Sequence, residues 1–155
     1  MEWAREYGKQ SRFLQIDFDK AYDRIEWSFI TEMSTCLGFG LRCVAMVNTP
    51  FSNASTFVSI HNSLSPRILL HRSIRQGCPL ALDLYVLTID ALGSLLEVAR
   101  LQGQLRGISL PDGFEMVHSH FAYDSILSVR ADQDSVDGTL TCLDLFCAAS
   151  GAVVS

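Results

Sequence analysis

The sequence predicts an α+β fold, one antiparallel sheet with helices packed on one face. Three observations predict it. Short apolar runs alternate with stretches of helical spacing, two pairs of those runs are joined by tight polar turns, and the stretch from Leu80 to Leu101 is too long for a strand and has helical spacing. With 155 residues, 48% hydrophobic and 19% charged, the chain is long enough to bury a core and reads as one globular unit rather than a disordered one.

The run FLQIDF, Phe13 to Phe18, reads as a strand that delivers Asp17 near its end. Helical spacing follows at Trp27, Ile30 and Met33 and closes near Gly38, a residue suited to a helix stop. Leu41, Val44, Val47 and Phe51 line a second short helix. Thr56 to Ile60 and Ile68 to His71 read as a hairpin around the polar turn His61-Asn62-Ser63. Pro79 suits a first helical turn, and Leu84, Leu87, Ala91, Leu95 and Val98 recur at helical spacing in what is expected to be the central buried helix. Pro111-Asp112-Gly113 signals a turn, and Val117 to Ala122 with Ile126 to Val129 reads as two strands whose hairpin tip is Tyr123-Asp124. A last helix, Ser135 to Ala149, presents Leu140, Leu143 and Phe146 and stops at Ser150-Gly151.

Composition narrows the function classes. Twelve Lys and Arg against 17 Asp and Glu leave a net charge of −5, the wrong sign for a chain whose affinity rests on neutralising phosphates. Arg67, His71, Arg72 and Arg75 nonetheless form a local basic run without an acid, which could meet a phosphate backbone or simply be a solvated strand edge. Five scattered cysteines without a C-x-x-C pair give no zinc signature and suit a reduced intracellular compartment. No stretch reaches the ~18 uncharged apolar residues of a membrane span, and the first residues, with Glu2, Arg5 and Glu6, lack a signal-peptide profile.

Three stretches carry chemistry: LQIDFDKAYDRIEW around Asp17, IRQGCPLALDLYVL around Gly77, and HFAYDS around Asp124. Followed by FCAASGAVVS, they resemble, in order, the central palm motifs of reverse transcriptases in the form typical of LINE-type (non-LTR) retrotransposons. Those motifs are an acid followed by E/D-K-A-F/Y-D, then R-Q-G-C-P-L-x-P, then F-A-D-D, then F-x-x-x-S-G-L. The resemblance runs from about Phe13 to the last residue and implies that residues 1–155 are a single partial palm domain, with fingers mostly absent and thumb absent.

The resemblance implies an RNA-directed DNA polymerase, with an RNA template, a DNA primer and a dNTP as partners and a nuclear or cytoplasmic location. Nucleotidyl transfer in such enzymes uses two Mg²⁺ ions, one lowering the pKa of the primer 3′-hydroxyl and one holding the triphosphate. Hard cations need oxygen ligands, preferably carboxylates. Carried over residue by residue, Asp17 and Asp124 are the metal-site acids, and the carbonyl of Phe18 touches the nucleotide-bound metal. Tyr22 is the aromatic gate under the sugar, and Gln76 and Gly77 form the turn that packs on the incoming nucleotide.

The sequence departs from that pattern at Tyr123, which occupies the position of the first acid of F-A-D-D. A phenol with a pKa of about 10 is neutral at pH 7 and a poor Mg²⁺ ligand, so the resemblance implies a catalytically dead relative. Leu82 replaces a proline, and Ser125 and Ser128 fall in a strand that is usually more apolar. The alternative is a non-catalytic module that binds nucleic acid or protein through the same scaffold. Asp23 reads as a helix cap, Lys20 as an exposed lysine or a triphosphate contact, and His118 and His120 as satisfied histidines before metal ligands. Trp27, Phe29, Phe114 and Phe121 are expected in the core.

Overall fold

The computed structural model describes residues 11–110, 113–121 and 124–155. The first half runs β1 (Ser11–Ile16), the one-turn α1 (Ala21–Arg24), α2 (Trp27–Cys36), α3 (Leu41–Asn48) with a 3-10 turn at Thr49–Phe51, β2 (Ser55–Thr56), β3 (Ser59–Ile60), β4 (Ser63–Leu64) and β5 (Ile68–Leu69). The second half runs α4 (Ala81–Leu101), β6 (Ile108–Ser109), β7 (Glu115–Met116), β8 (His118–Phe121), β9 (Asp124–Arg130) and α5 (Gln133–Ser150).

The central sheet has the order β1-β9-β8 and is antiparallel throughout. Successive side chains point to opposite faces of a strand. The register therefore gathers Leu14, Ile16, His118, His120, Ser125, Leu127 and Val129 on one face. The helices cover that face: Leu127 and Val129 are fully buried, α4 meets β8 at Gly93, and α5 packs on β9 and on α4. Phe13 and Ile126 on the other face stay 43% and 41% exposed. The α+β class read from the sequence is the class observed, and each fully buried aliphatic side chain under the helices contributes ~1.5–3 kcal/mol.

The long helix buries a different stripe from the one expected. Ala81, Leu84, Tyr85, Thr88, Ile89, Leu92, Leu96 and Ala99 face inward, whereas Val98 is exposed and Leu87, Ala91 and Leu95 are half-buried. Its sequence is apolar on nearly every side, so periodicity alone leaves the inward stripe open. The stripe that wins runs beside Gly93, where the missing side chain lets the sheet come close.

The α5 helix starts where Asp132 accepts a hydrogen bond from the Ser135 N–H at 2.9 Å and stops at Gly151, which takes the left-handed φ of 77°. Leu143 and Phe146 are buried as expected, but Leu140 is exposed, and Thr139 and Cys142 complete the inner stripe. In α3, Val47 is buried and Leu41 exposed; Phe51 is buried in the following turn.

The expected Thr56–Ile60 strand is broken. β2 pairs with β5 and β3 with β4, and His61 and Asn62 both take left-handed φ values, 48° and 62°. Two such residues make the tight turn whose twist matches a hairpin, so Ser63 belongs to the strand rather than to the turn. Phe114 is 74% exposed rather than core, while Trp27 stacks on Phe51 with ring centroids 5.2 Å apart. Pro111 and Asp112 lie outside the described residues.

Candidate active site

Asp17 is the first residue beyond β1. Ile16 stands opposite Ser125 in the last pair of the β1–β9 ladder, and Asp17 and Asp124 are the next residues beyond that pair, at the same end of the sheet. Asp124 heads β9, paired with Phe121, rather than standing at the hairpin tip; the ladder extends further than the sequence suggested. Tyr123 lies outside the described residues.

The stretch after Asp17 is held by the end of the chain. The Asp17 carbonyl accepts the N–H and the hydroxyl of Ser155, each at 3.0 Å, and that hydroxyl is 3.3 Å from the Asp17 carboxylate. Phe18 is buried, edge-on to Phe146, and bridges to Val154. The two hydrogen bonds of that bridge run from Asp19 N–H to the Val153 carbonyl and from Ser155 N–H to the Asp17 carbonyl. Neither uses the Phe18 carbonyl, the group expected to face a nucleotide-bound cation. Asp19, which could compete as a ligand, is paired with Arg24 at 2.5 Å.

The segment leading into the Gln76-Gly77 turn is tied to the same region by hydrogen bonds to backbone carbonyls. Ile74 N–H donates to the Tyr22 carbonyl at 2.7 Å, Ser73 N–H to that of Ile25 at 3.0 Å, and the Trp27 indole N–H to that of Ser73 at 2.7 Å. Gln76 and Gly77 then project to solvent, and Gly77 takes φ 83°, a conformation that costs glycine nothing sterically. The half-buried Tyr22 packs on Tyr85 of α4, ring centroids 5.0 Å apart, and Tyr85 is 1% exposed. Tyr85 escaped sequence reasoning; its signal was the single aromatic residue of the long helix, eight positions after Gly77.

Lys20 is exposed and holds a left-handed φ of 48°, uncommon for a side chain of its size, at the turn between Asp17 and Tyr22. Asp23 lies inside α1 and does not cap it; Lys20 occupies that capping position without a side-chain hydrogen bond. Ser125 and Ser128 are both buried, and Ser125 bonds His120 while the Ser128 hydroxyl has no partner among the described residues. Arg67, His71, Arg72 and Arg75 are all exposed, with Arg67 donating to the Asn53 carbonyl and Arg72 3.9 Å from Glu26. Among the described residues no group of three or more His, Cys, Asp and Glu side chains forms a ready metal site, and no helix is long and apolar enough to cross a membrane.

No protein-family model matches the chain. Over all 155 residues it is 32% identical to the Transposon TX1 uncharacterized 149 kDa protein of Xenopus laevis, and it spans 12% of that protein's length. Its fold is similar to telomerase from Candida albicans in complex with a TWJ fragment of telomeric RNA, with a TM-score of 0.63 and 12% identity over 99% of this chain and 27% of that one. Apo telomerase from Candida tropicalis, truncated from its C-terminal domain, is similar with a TM-score of 0.56 and 10% identity over 97% of this chain and 31% of that one.

Proposed function

We propose that this chain, whose motifs resemble those of LINE-type reverse transcriptases, is the palm portion of an RNA-directed DNA polymerase whose metal site has lost a ligand. The observation that supports this reading is the β1–β9 register, whose last pair, Ile16 opposite Ser125, directly adjoins Asp17 and Asp124. Around that point, Tyr22 backed by Tyr85 serves as the gate beneath the sugar, and the Gln76-Gly77 turn lies against the base and phosphates of the incoming nucleotide. The Phe18 carbonyl would offer a neutral oxygen to a cation bound with the nucleotide.

The donor set does not fit the Mg²⁺ pair that this chemistry uses. Two carboxylates and a carbonyl can hold one hard cation, but two cations close together need more negative charge around them than Asp17 and Asp124 provide. Tyr123 stands where the third carboxylate would be, and Asp19 is committed to Arg24. The chain therefore binds nucleotide and primer-template weakly and does not extend the primer.

Primer extension on an RNA template with Mg²⁺ tests this. The chain and its Tyr123→Asp variant are each grafted in place of the matching segment of an intact related polymerase. The graft with Tyr is expected to be inactive and the graft with Asp to extend, because loss of one such ligand commonly removes several kcal/mol of transition-state stabilisation. Equal extension by both would end the argument about the ligand.

The exposed run of Arg67, His71, Arg72 and Arg75 favours a second reading, a scaffold that binds nucleic acid without acting on it. An affinity for primer-template duplex that falls steeply with salt, in a chain inactive with either residue at 123, would support it.

A further inference from the structure

We propose that the ribbon from β2 to β5 is an interaction surface for a second copy of this chain, seated on the outer face of that copy's α5 helix. The residues of β3, β4 and β5 are exposed throughout, and Phe57, Val58, Ile60, Leu64, Ile68 and Leu69 are each between 44% and 70% exposed. A two-stranded ribbon with no packed face is marginal in water, and exposed apolar side chains gathered in one element mark a contact surface. The ribbon therefore needs a partner.

Charge selects the occupant. Between Met33 and Leu82 the chain carries four arginines and no Asp or Glu, so all 17 acids lie outside this stretch. Arg67, on the ribbon, is exposed and reaches the Asn53 carbonyl, and the exposed Arg72 just beyond it stands 3.9 Å from Glu26. Helix α5 is the reverse, with Asp134, Asp137 and Asp144 exposed and no Lys, Arg or His between Gln133 and Ser150. None of these three acids has an ion pair among the described residues. By helical spacing Asp137, Leu140, Thr141, Asp144, Leu145 and Ala148 share the outer face of α5, where Leu140 and Leu145 are 50% and 56% exposed. Acidic and apolar groups on the helix answer basic and apolar groups on the ribbon.

The contact joins two molecules, since within one chain both faces are open and neither covers the other. Ribbon against ribbon would oppose like charges, so the pairing is head to tail, the ribbon of one copy on α5 of the next. A nucleic-acid strand suits the ribbon less well. Outside the acid-free stretch the chain is strongly acidic, and the ribbon offers a single phenyl ring, Phe57, where single strands are held by several stacked rings. The contact uses none of the residues at the Asp17 end of the sheet and does not depend on the polymerase reading.

Sedimentation velocity of the nuclease-treated whole chain, at ~50 mM and ~300 mM salt, tests the contact. The variants are Arg67→Glu with Arg72→Glu, Asp137→Lys with Asp144→Lys, and Leu64→Ser, which leaves every charge in place. Circular dichroism confirms that each is folded. Association that rises with concentration and weakens at the higher salt is expected, with affinity at least ~10-fold lower in each charge variant and several-fold lower in Leu64→Ser. An equimolar mixture of the two charge variants should associate again, because one keeps an intact helix face and the other an intact ribbon. A chain that stays monomeric at every concentration, undiminished association in every folded variant, a mixture that fails to associate, or a ribbon that binds single-stranded RNA while the chain stays monomeric would overturn the proposal.

Discussion

The central sheet and the small paired strands from β2 to β5 are built from similar residues and end in opposite states. In β1, β9 and β8, alternate side chains meet two long helices, and Leu127 and Val129 are excluded from water altogether. In the layer from β2 to β5, Phe57, Val58, Ile60, Leu64, Ile68 and Leu69 are all between 44% and 70% exposed, because no helix covers them. Apolar content therefore does not distinguish a core strand from a surface one. What distinguishes them is whether the chain later returns with a helix to cover the face.

The sharpest way to break that comparison is to truncate one leucine in each region. Leu127→Ala, in the central strand and under both helices, should cost ~2–5 kcal/mol. Leu64→Ala, 70% exposed in β4, should change stability by no more than ~0.5 kcal/mol. Urea unfolding of the two variants measures both. Similar losses would mean that the outer hairpin is covered in solution.

A second test concerns the seam where α4 meets the sheet. Burial, reinforced by the neighbouring His118 and opposed by Asp90, lowers the pKa of His120 to about 4. In the unfolded chain the imidazole takes its proton near the ordinary value of about 6.5, so the unfolded state binds more protons between those two values. Stability should be fully present above pH 6.5 and fall as the pH drops toward 4. The groups acting on this ring are His118 on its own strand, Ser125 on β9 and Asp90 on α4, and burial lowers the pKa of His118 as well. Thermal melting from pH 7.5 to 4.5 should therefore show a steeper fall in the wild-type chain than in His120→Gln. Parallel curves would remove His120 as the cause.

These tests also show what a sequence conveys and what it does not. The strand before Asp17, the long helix after Pro79 and the Gly151 stop were legible because period, proline and glycine each impose a local conformation. The inner stripe of α4 was not, since Leu87, Ala91 and Leu95 look as apolar as Leu92 and Leu96 until Gly93 meets β8. At the candidate site, the residue types and their order could be read along the chain. The Asp19–Arg24 pair, the Ser155 contacts to Asp17 and the support of Tyr22 by Tyr85 depend on segments distant in sequence or on rotamers, and no local pattern encodes them.

The smallest effect expected is at the β3–β4 turn, where His61 holds a left-handed φ of 48° and Asn62 one of 62°. Asparagine followed by glycine suits such a pair best, so the double change His61→Asn with Asn62→Gly should relieve strain at both positions. If the outer layer opens on its own, that gain, under ~1 kcal/mol, stays local. Amide exchange at Ser59 to Leu64 would then slow several-fold while the global unfolding midpoint stays put. A midpoint that rises together with the protection would mean that the uncovered hairpin and the helix-backed sheet unfold as one unit, and the contrast between them would be one of exposure alone.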